Sequence, residues 1–237
     1  MKKFGWLFLA FVCMAPMSSA WAGTWEPRTY IGIEGHGRWV DLETGFGQPL
    51  FKRTLAQPGI FAGIHLNDYF GIELGYETTW GRSKQRKIDA GSFFPGAPTP
   101  LPAGTFLLYN TKEYVDSANL GLMVFVPVAC NNLIFGSAGV SFTKIHASMT
   151  LIGDQDPTPL SPAAIFALSD SFRKEKFLPY VKVGIIHKIS DCVGVRLFVD
   201  WKNLERFKIE SGIFPGSLTQ LKYKNSFGYG LGLSWNW

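Results

Sequence analysis

The stretch Tyr229-Gly230-Leu231-Gly232-Leu233-Ser234-Trp235-Asn236-Trp237 decides the fold. Large apolar side chains take every second position, Tyr229, Leu231, Leu233, Trp235 and Trp237, while glycine, serine and asparagine take the others. A period of two is the mark of a β-strand whose two faces meet different surroundings. In a soluble sandwich the apolar face would point into a core, and nothing would require the strand to finish on an aromatic residue.

Seven further segments alternate in the same way. They lie near residues 29–42, 59–66, 70–80, 113–128, 133–150, 177–189 and 193–202. Val193, Val195, Leu197, Val199 and Trp201, for example, oppose Gly194, Arg196, Phe198, Asp200 and Lys202. Three connections, at 67–69, 129–132 and 190–192, are short turns carrying Asn or Asp. The other four, at 43–58, 81–112, 152–176 and 203–225, are long. Long and short alternate along the chain, which gathers every long connection at one end of an up-and-down sheet. Greek-key crossovers have no reason to sort loops in this way. The pattern predicts an all-β protein: an eight-stranded antiparallel up-and-down transmembrane β-barrel with three short periplasmic turns and four long extracellular loops.

Composition agrees. Only 17% of the 237 residues are charged, 46% are hydrophobic, 15% are aromatic and 26 are glycine. Disorder and collagen are excluded, and only the stretch from Phe4 to about Ala22 is long and apolar enough for a helical span. That stretch has Lys2 and Lys3 before it and Ala20-Trp21-Ala22 at its end, the pattern of a cleaved secretory signal. Residues 1–22 are therefore expected to be a signal peptide and 23–237 the barrel domain. Val12 before Cys13 lacks the small residue that lipid attachment needs. Loss of Lys2 and Lys3 lowers the net charge from +5 to +3, so a nucleic-acid partner is not indicated. Two cysteines remain, Cys130 and Cys192, each in a short turn: either two buried thiols or one disulfide between neighbouring turns.

The apolar faces carry Trp39, Tyr76, Trp80, Tyr114, Trp201, Tyr229, Trp235 and Trp237 near their ends, as interfacial aromatic girdles do. Lipid should face that side. The opposite faces hold Glu34, Glu73, Glu77 and Asp200 with Arg38, Lys182, Arg196 and Lys202, a balanced set that must then point inward and pair, together with His36 and His65. Eight strands enclose an interior that side chains just fill, so no wide pore is expected. A soluble sandwich would instead turn those charges to water.

The segment Asn67-Asp68-Tyr69-Phe70-Gly71-Ile72-Glu73-Leu74-Gly75-Tyr76 and the terminal strand resemble the OmpA-like outer-membrane β-barrel family, including the opacity-type surface proteins of Gram-negative bacteria. The resemblance implies a bacterial outer-membrane location, contact with outer-membrane lipid and lipopolysaccharide, and recognition of the strand Tyr229 to Trp237 by the outer-membrane assembly machinery. That family more often ends in Phe. Wall anchoring by the periplasmic peptidoglycan-binding domain of better-known members is not part of what the resemblance is expected to carry over.

Three functions compete. The first is a non-catalytic surface barrel serving envelope integrity, adhesion or host contact. Its loop patch would be Arg82, Lys84, Arg86 and Lys87 with Phe93 and Phe94; between residues 82 and 112 five bases face one acid, a net +4. The bland alternative for that run is a solvated loop. The second is a narrow small-solute or ion channel, which requires the inward charges to exchange partners. The third is a lipid A-modifying hydrolase: His146-Ala147-Ser148 sets a histidine and a hydroxyl on one lipid-facing strand face, as in the lipid A deacylase barrels, but with no acid visibly beside them. Enzymatic activity, a cofactor and a metal are not expected, since Asp154 and Asp156 before Pro157 fall short of a calcium site.

Overall fold

A computed structural model describes residues 28–43, 53–80, 82–88, 106–129, 131–154, 170–190, 192–204, 208–209 and 221–236. The expected signal peptide, Trp237, Phe93, Phe94, Cys130 and Asp156 lie outside the described residues. Among the described residues ten strands run in chain order: β1 (Arg28–Glu43), β2 (Thr54–His65), β3 (Phe70–Glu77), β4 (Arg82–Ile88), β5 (Leu107–Ala129), β6 (Asn132–Asp154), β7 (Asp170–Lys188), β8 (Val193–Asn203), β9 (Lys208–Ile209) and β10 (Leu221–Asn236).

Eight of them form one closed antiparallel wall in the order β1-β2-β3-β5-β6-β7-β8-β10, and β10 pairs with β1 to complete the ring. Closure removes the exposed sheet edges that an open sheet would carry. From Ile186 of β7, cross-strand partners pass through Arg196, Gly232, Glu34, Gly59, Glu77, Ser117 and Thr143 and return to β7 at Lys176, ten residues away. A stagger of that size on eight strands tilts them by roughly 40–45° to the barrel axis.

The sorted connections are present: four, two and four residues at the periplasmic end, against ten, 29, fifteen and seventeen at the other, the second and fourth of these containing β4 and β9. The first short turn is held by Asn67, whose Oδ1 accepts hydrogen bonds from the backbone N–H of Tyr69 and Phe70 at 2.8 Å each. That is the turn chemistry for which Asn is favoured.

Several strands begin farther out than their alternation predicts. β2 starts at Thr54 rather than near 59, and β5 reaches Leu107, β6 reaches Asp154 and β7 starts at Asp170. β5 and β6 have 23 residues each, whereas about 9–11 tilted residues cross a bilayer. Half of this side of the barrel therefore stands outside the membrane. The burial alternation continues there, but the polarity of the two faces inverts. Along β6, Val140 and Phe142 face outward and Ser141 and Thr143 are buried inside; beyond them Lys144, His146 and Ser148 face outward while Ile145, Ala147 and Met149 are buried. An apolar outer face marks lipid and a polar one marks water, so the outer membrane boundary on β6 falls between Phe142 and Lys144.

Glycine placement separates two environments. Gly139 faces Gly121 across β5 and β6, and a Cβ there would run into the carbonyl of Leu120. Gly35 is on the lipid side, with open space where its Cβ would lie. Gly139→Val is expected to abolish the heat-modifiable folded band on gels, whereas Gly35→Val should leave it intact; equal behaviour of the two variants would contradict this packing.

Candidate functional site

The eight charged residues expected inside all project into the lumen, each at most 6% exposed. The alternation of β1, β3, β7 and β8 fixes their direction, and the register brings them together as two neutral quartets. In the lower one, Arg196 binds Glu73 at 2.7 Å and also pairs with Glu34, while Lys182 lies 3.3 Å from Glu34 and 3.5 Å from Glu73. In the upper one, Nη2 of Arg38 lies 2.7 Å from Asp200 and 3.3 Å from Glu77, which also pairs with Lys202. His36 sits between the quartets, 2.9 Å from Glu34, 3.4 Å from Glu77 and 3.6 Å from Asp200.

Neutral partners complete the network. Arg38 donates from Nε to Gln57 at 2.5 Å and from Nη1 to Ser226 at 3.0 Å, and the Tyr30 hydroxyl donates to Glu73 at 3.2 Å. Gln57 and Tyr30 were not legible as site residues. Gln57 sits beside Pro58 in a stretch that reads as loop, and Tyr30 looks like an ordinary strand aromatic until the register aims it at Glu73.

Both ends of the charged layer are closed by apolar layers. On the periplasmic side lie Met123, Phe125 and Phe135, buried and clustered with Phe198, which stands between Arg196 and Asp200 on β8. The Arg196 guanidinium rests 3.1 Å from the centroid of the Phe61 ring and 5.5 Å from that of Phe198. The His65 ring, inside as expected, lies 4.5 Å from Phe125 and 5.1 Å from Tyr30. Toward the outside, Leu55, Tyr109, Val115, Ile145, Met149, Leu204 and Tyr223 are buried, and the Tyr223 hydroxyl donates to Glu113 at 2.9 Å. A desolvated path of this kind opposes steady ion flow.

Part of the expected loop patch lies in a strand. Residues 82–88 form β4, paired with β5 from Arg82↔Glu113 to Ile88↔Leu107. Strand alternation sets Lys84 and Lys87 on opposite faces of β4. Lys84 is half-buried, and exposed Lys87 holds its ammonium 4.2 Å over the Phe106 ring.

His146 and Ser148 do lie on the outer face of β6. Register sets His146 between Tyr114 and Arg173, and Ser148 between Lys112 and Ser171. Two acids stand diagonally from His146, but Asp116 accepts a 2.6 Å hydrogen bond from Thr78 and Glu175 pairs with Arg173 at 2.7 Å. No hydrogen bond joins His146 to Ser148, so no catalytic triad is assembled among the described residues. Cys192 is a free, exposed thiol, while Cys130, its partner in the disulfide alternative, lies outside the described residues. Tyr229, Leu231, Leu233 and Trp235 share the lipid-facing side of β10. Among the described residues no cluster of three His, Cys, Asp or Glu side chains could hold a metal.

The family model of the OmpA-like transmembrane domain matches residues 29–206. The chain belongs to that family. No curated protein matches it in sequence. Among solved structures it is similar to Ail of Yersinia pestis, in complex with the heparin analogue sucrose octasulfate, at 10% identity and a TM-score of 0.48 over 90% of this chain and 100% of that one. OprG from Pseudomonas aeruginosa gives 10% identity and 0.49 over 89% and 95%. The outer membrane protease OmpT from Escherichia coli gives 9% and 0.47 over 89% and 96%.

The OmpA-like barrel thus has a bacterial outer-membrane setting, and its lumen has a testable energy balance. Removing Arg196 alone leaves Glu34 and Glu73 to share one lysine. Arg196→Met is expected to cost about 3–5 kcal/mol in urea unfolding of the refolded barrel, whereas Arg196→Met with Glu34→Leu, which keeps the Lys182–Glu73 pair, should recover most of the loss. Additive costs would show that the quartet does not act as a neutral unit.

Proposed function

We propose that this OmpA-like chain is a non-catalytic outer-membrane surface barrel that serves envelope integrity and meets host surface molecules through its outer end. The observation that carries this reading is the extension of β5, β6 and β7 beyond the membrane, widened by β4. A pore or a catalytic barrel does not require so tall a wall on one side. That side is rich in bases: Lys84, Lys87, Lys112, Lys144, Arg173, Lys174 and Lys176 lie on its strands. An anionic partner such as a sulfated glycan fits that balance, and attraction of this kind weakens with salt.

The test is adhesion of cells displaying the full chain to heparin-coated surfaces. Lys84→Glu with Lys87→Glu is expected to cut adhesion several-fold at equal surface level, and raised salt should mimic the loss. Unchanged adhesion would refute glycan contact through this end. The filled lumen also predicts no conductance above baseline for purified protein in planar bilayers; steady single-channel steps would favour the channel reading instead.

A further inference from the structure

Five acids are buried among the described residues: Glu34, Glu73, Glu77, Glu113 and Asp200. Four belong to the quartets, and each of those pairs with a lysine or an arginine. Glu113 differs. Its partner is neutral, the Tyr223 hydroxyl, which donates to Oε1 at 2.9 Å, while Oε2 accepts no hydrogen bond from a described residue. It stands on β5 opposite Ala147 of β6, beyond the outer membrane boundary between Phe142 and Lys144. The layer it shares is apolar: Leu55 of β2, Val115 of β5, Ile145, Ala147 and Met149 of β6, and Leu204 just past β8. On its own strand the nearest titratable side chain of the same face is Tyr109. The cations of the neighbouring strands are Arg82 and Lys84 of β4, which oppose Glu113 and Thr111, and Lys174 and Lys176 of β7, which oppose Ile145 and Thr143. Arg38 of β1 and Lys202 of β8 are held by the upper quartet. No described cation pairs with Glu113.

The Glu113–Tyr223 bond crosses the lumen. β5 and β10 are four strands apart in either direction around the ring, as far as two of its eight strands can be. Backbone pairing does not close the outer end between them. The β7–β8 ladder stops at Tyr180↔Lys202 and the β3–β5 ladder at Glu77↔Ser117, whereas β4, β5, β6 and β7 stay paired with one another as far as Leu107 and Asp170. Among the described residues the outer ends of these four strands therefore reach the β10 side through side chains, and this hydrogen bond is such a link.

We infer that Glu113 and Tyr223 form a proton-dependent latch between the outer ends of β4 to β7 and the opposite wall, shut in acid surroundings and loosened as they turn neutral. A carboxylate without a cation is costly to bury, and a neutral carboxyl far less so. Burial pushes the Glu113 carboxyl up to about 7, and the Tyr223 bond opposes only part of that rise. Once exposed, the same group would titrate near its ordinary 4.5. Below that value it is protonated whether the end is closed or open. Between the two values the closed form alone keeps its proton, so opening grows easier as pH rises, and above about 7 both forms are ionised and the effect levels off. The latch goes beyond the glycan-binding reading, which concerns what the outer end meets and not how it is held together.

Hydrogen exchange of the full folded chain in detergent micelles tests the latch between about pH 5 and 8, read as protection after correction for the intrinsic pH dependence of amide exchange. Opening of residues 107–115 should rise roughly tenfold per pH unit up to about pH 7 and then level off. Residues 119–126, inside the membrane on the same strand, should stay flat. Glu113→Gln should remove the slope and hold the outer end at its acid-side protection. Tyr223→Phe should raise opening about fivefold at the acid end, where the carboxyl is neutral and the hydrogen bond alone is lost. Heat-modifiable mobility shows that each variant is folded. A flat profile for the unmodified chain would mean that Arg82, opposite on β4, keeps the carboxylate ionised, and would overturn the latch. So would a slope that survives Glu113→Gln, a slope shared equally by residues 119–126, or a Tyr223→Phe chain that opens no more readily in acid.

Discussion

A charge inside a tube lined by protein and wrapped in lipid must find an opposite charge in that tube. Taking one ion out of water costs several kcal/mol even after relaxation, and an unpaired ion recovers none of it. Among the described residues every interior ion pair between different strands joins strands that are not neighbours in the sheet: Glu34 of β1 with Lys182 of β7 and Arg196 of β8, Glu73 and Glu77 of β3 with Arg196 and Lys202 of β8, and Arg38 of β1 with Glu77 and Asp200. Apart from Arg38 with Glu77, which only β2 separates, these pairs cannot form in an open sheet. The network is complete only when β10 meets β1, so lumen electrostatics and ring closure enforce one another. A slip of one residue in any of these strands would turn its charges toward lipid and its leucines and valines inward. Register is thus specified from both faces at once.

The same constraint explains why the lumen is layered. The phenylalanines on the periplasmic side and the aliphatic and tyrosine layer on the outer side keep water from the quartets, which strengthens each pair and raises the cost of separating any of them. Arg196 shows how charge and aromatics interlock: its guanidinium binds two carboxylates while its face covers the Phe61 ring. A desolvated cation over a ring gains about 2 kcal/mol. A barrel built in this way is a scaffold, and its contacts with other molecules fall to its outer wall and outer end.

The faces of the strands were legible because period two needs only local sequence: Leu231 and Gly232 announce opposite sides without any partner. The sorted connections were legible for the same reason, since Asn67 and its neighbours mark a turn by themselves. Pair choice was not. That Arg196 takes Glu73 rather than Glu77 depends on a register set by eight strands, and no short window of sequence contains it. The outer ends of β5 and β7 were missed because the apolar side changes face there and a search for one continuous apolar stripe stops short of them; on β6, Lys144 to Ser148 still alternate with the sense reversed, and that strand was legible as far as Thr150. β4 was hidden differently. Arg82 to Lys87 are all polar, and their strand exists because β5 extends far enough to offer a partner.

That reversal carries more information than the stripe it interrupts. Within the membrane a strand is apolar outside and polar within; above it, Ile145, Ala147 and Met149 form a core while Lys144, His146 and Ser148 meet the surroundings. The point of inversion fixes the height of every outward residue relative to lipid, independently of the aromatic girdles. His146 and Ser148 read alone suggest a nucleophile and its base. The inversion sets them two and three steps up β6 from Phe142, where the outer face is polar, and the nearest carboxylates are already bonded, Asp116 to Thr78 and Glu175 to Arg173. Surroundings, rather than residue type, decide what the pair is suited to do.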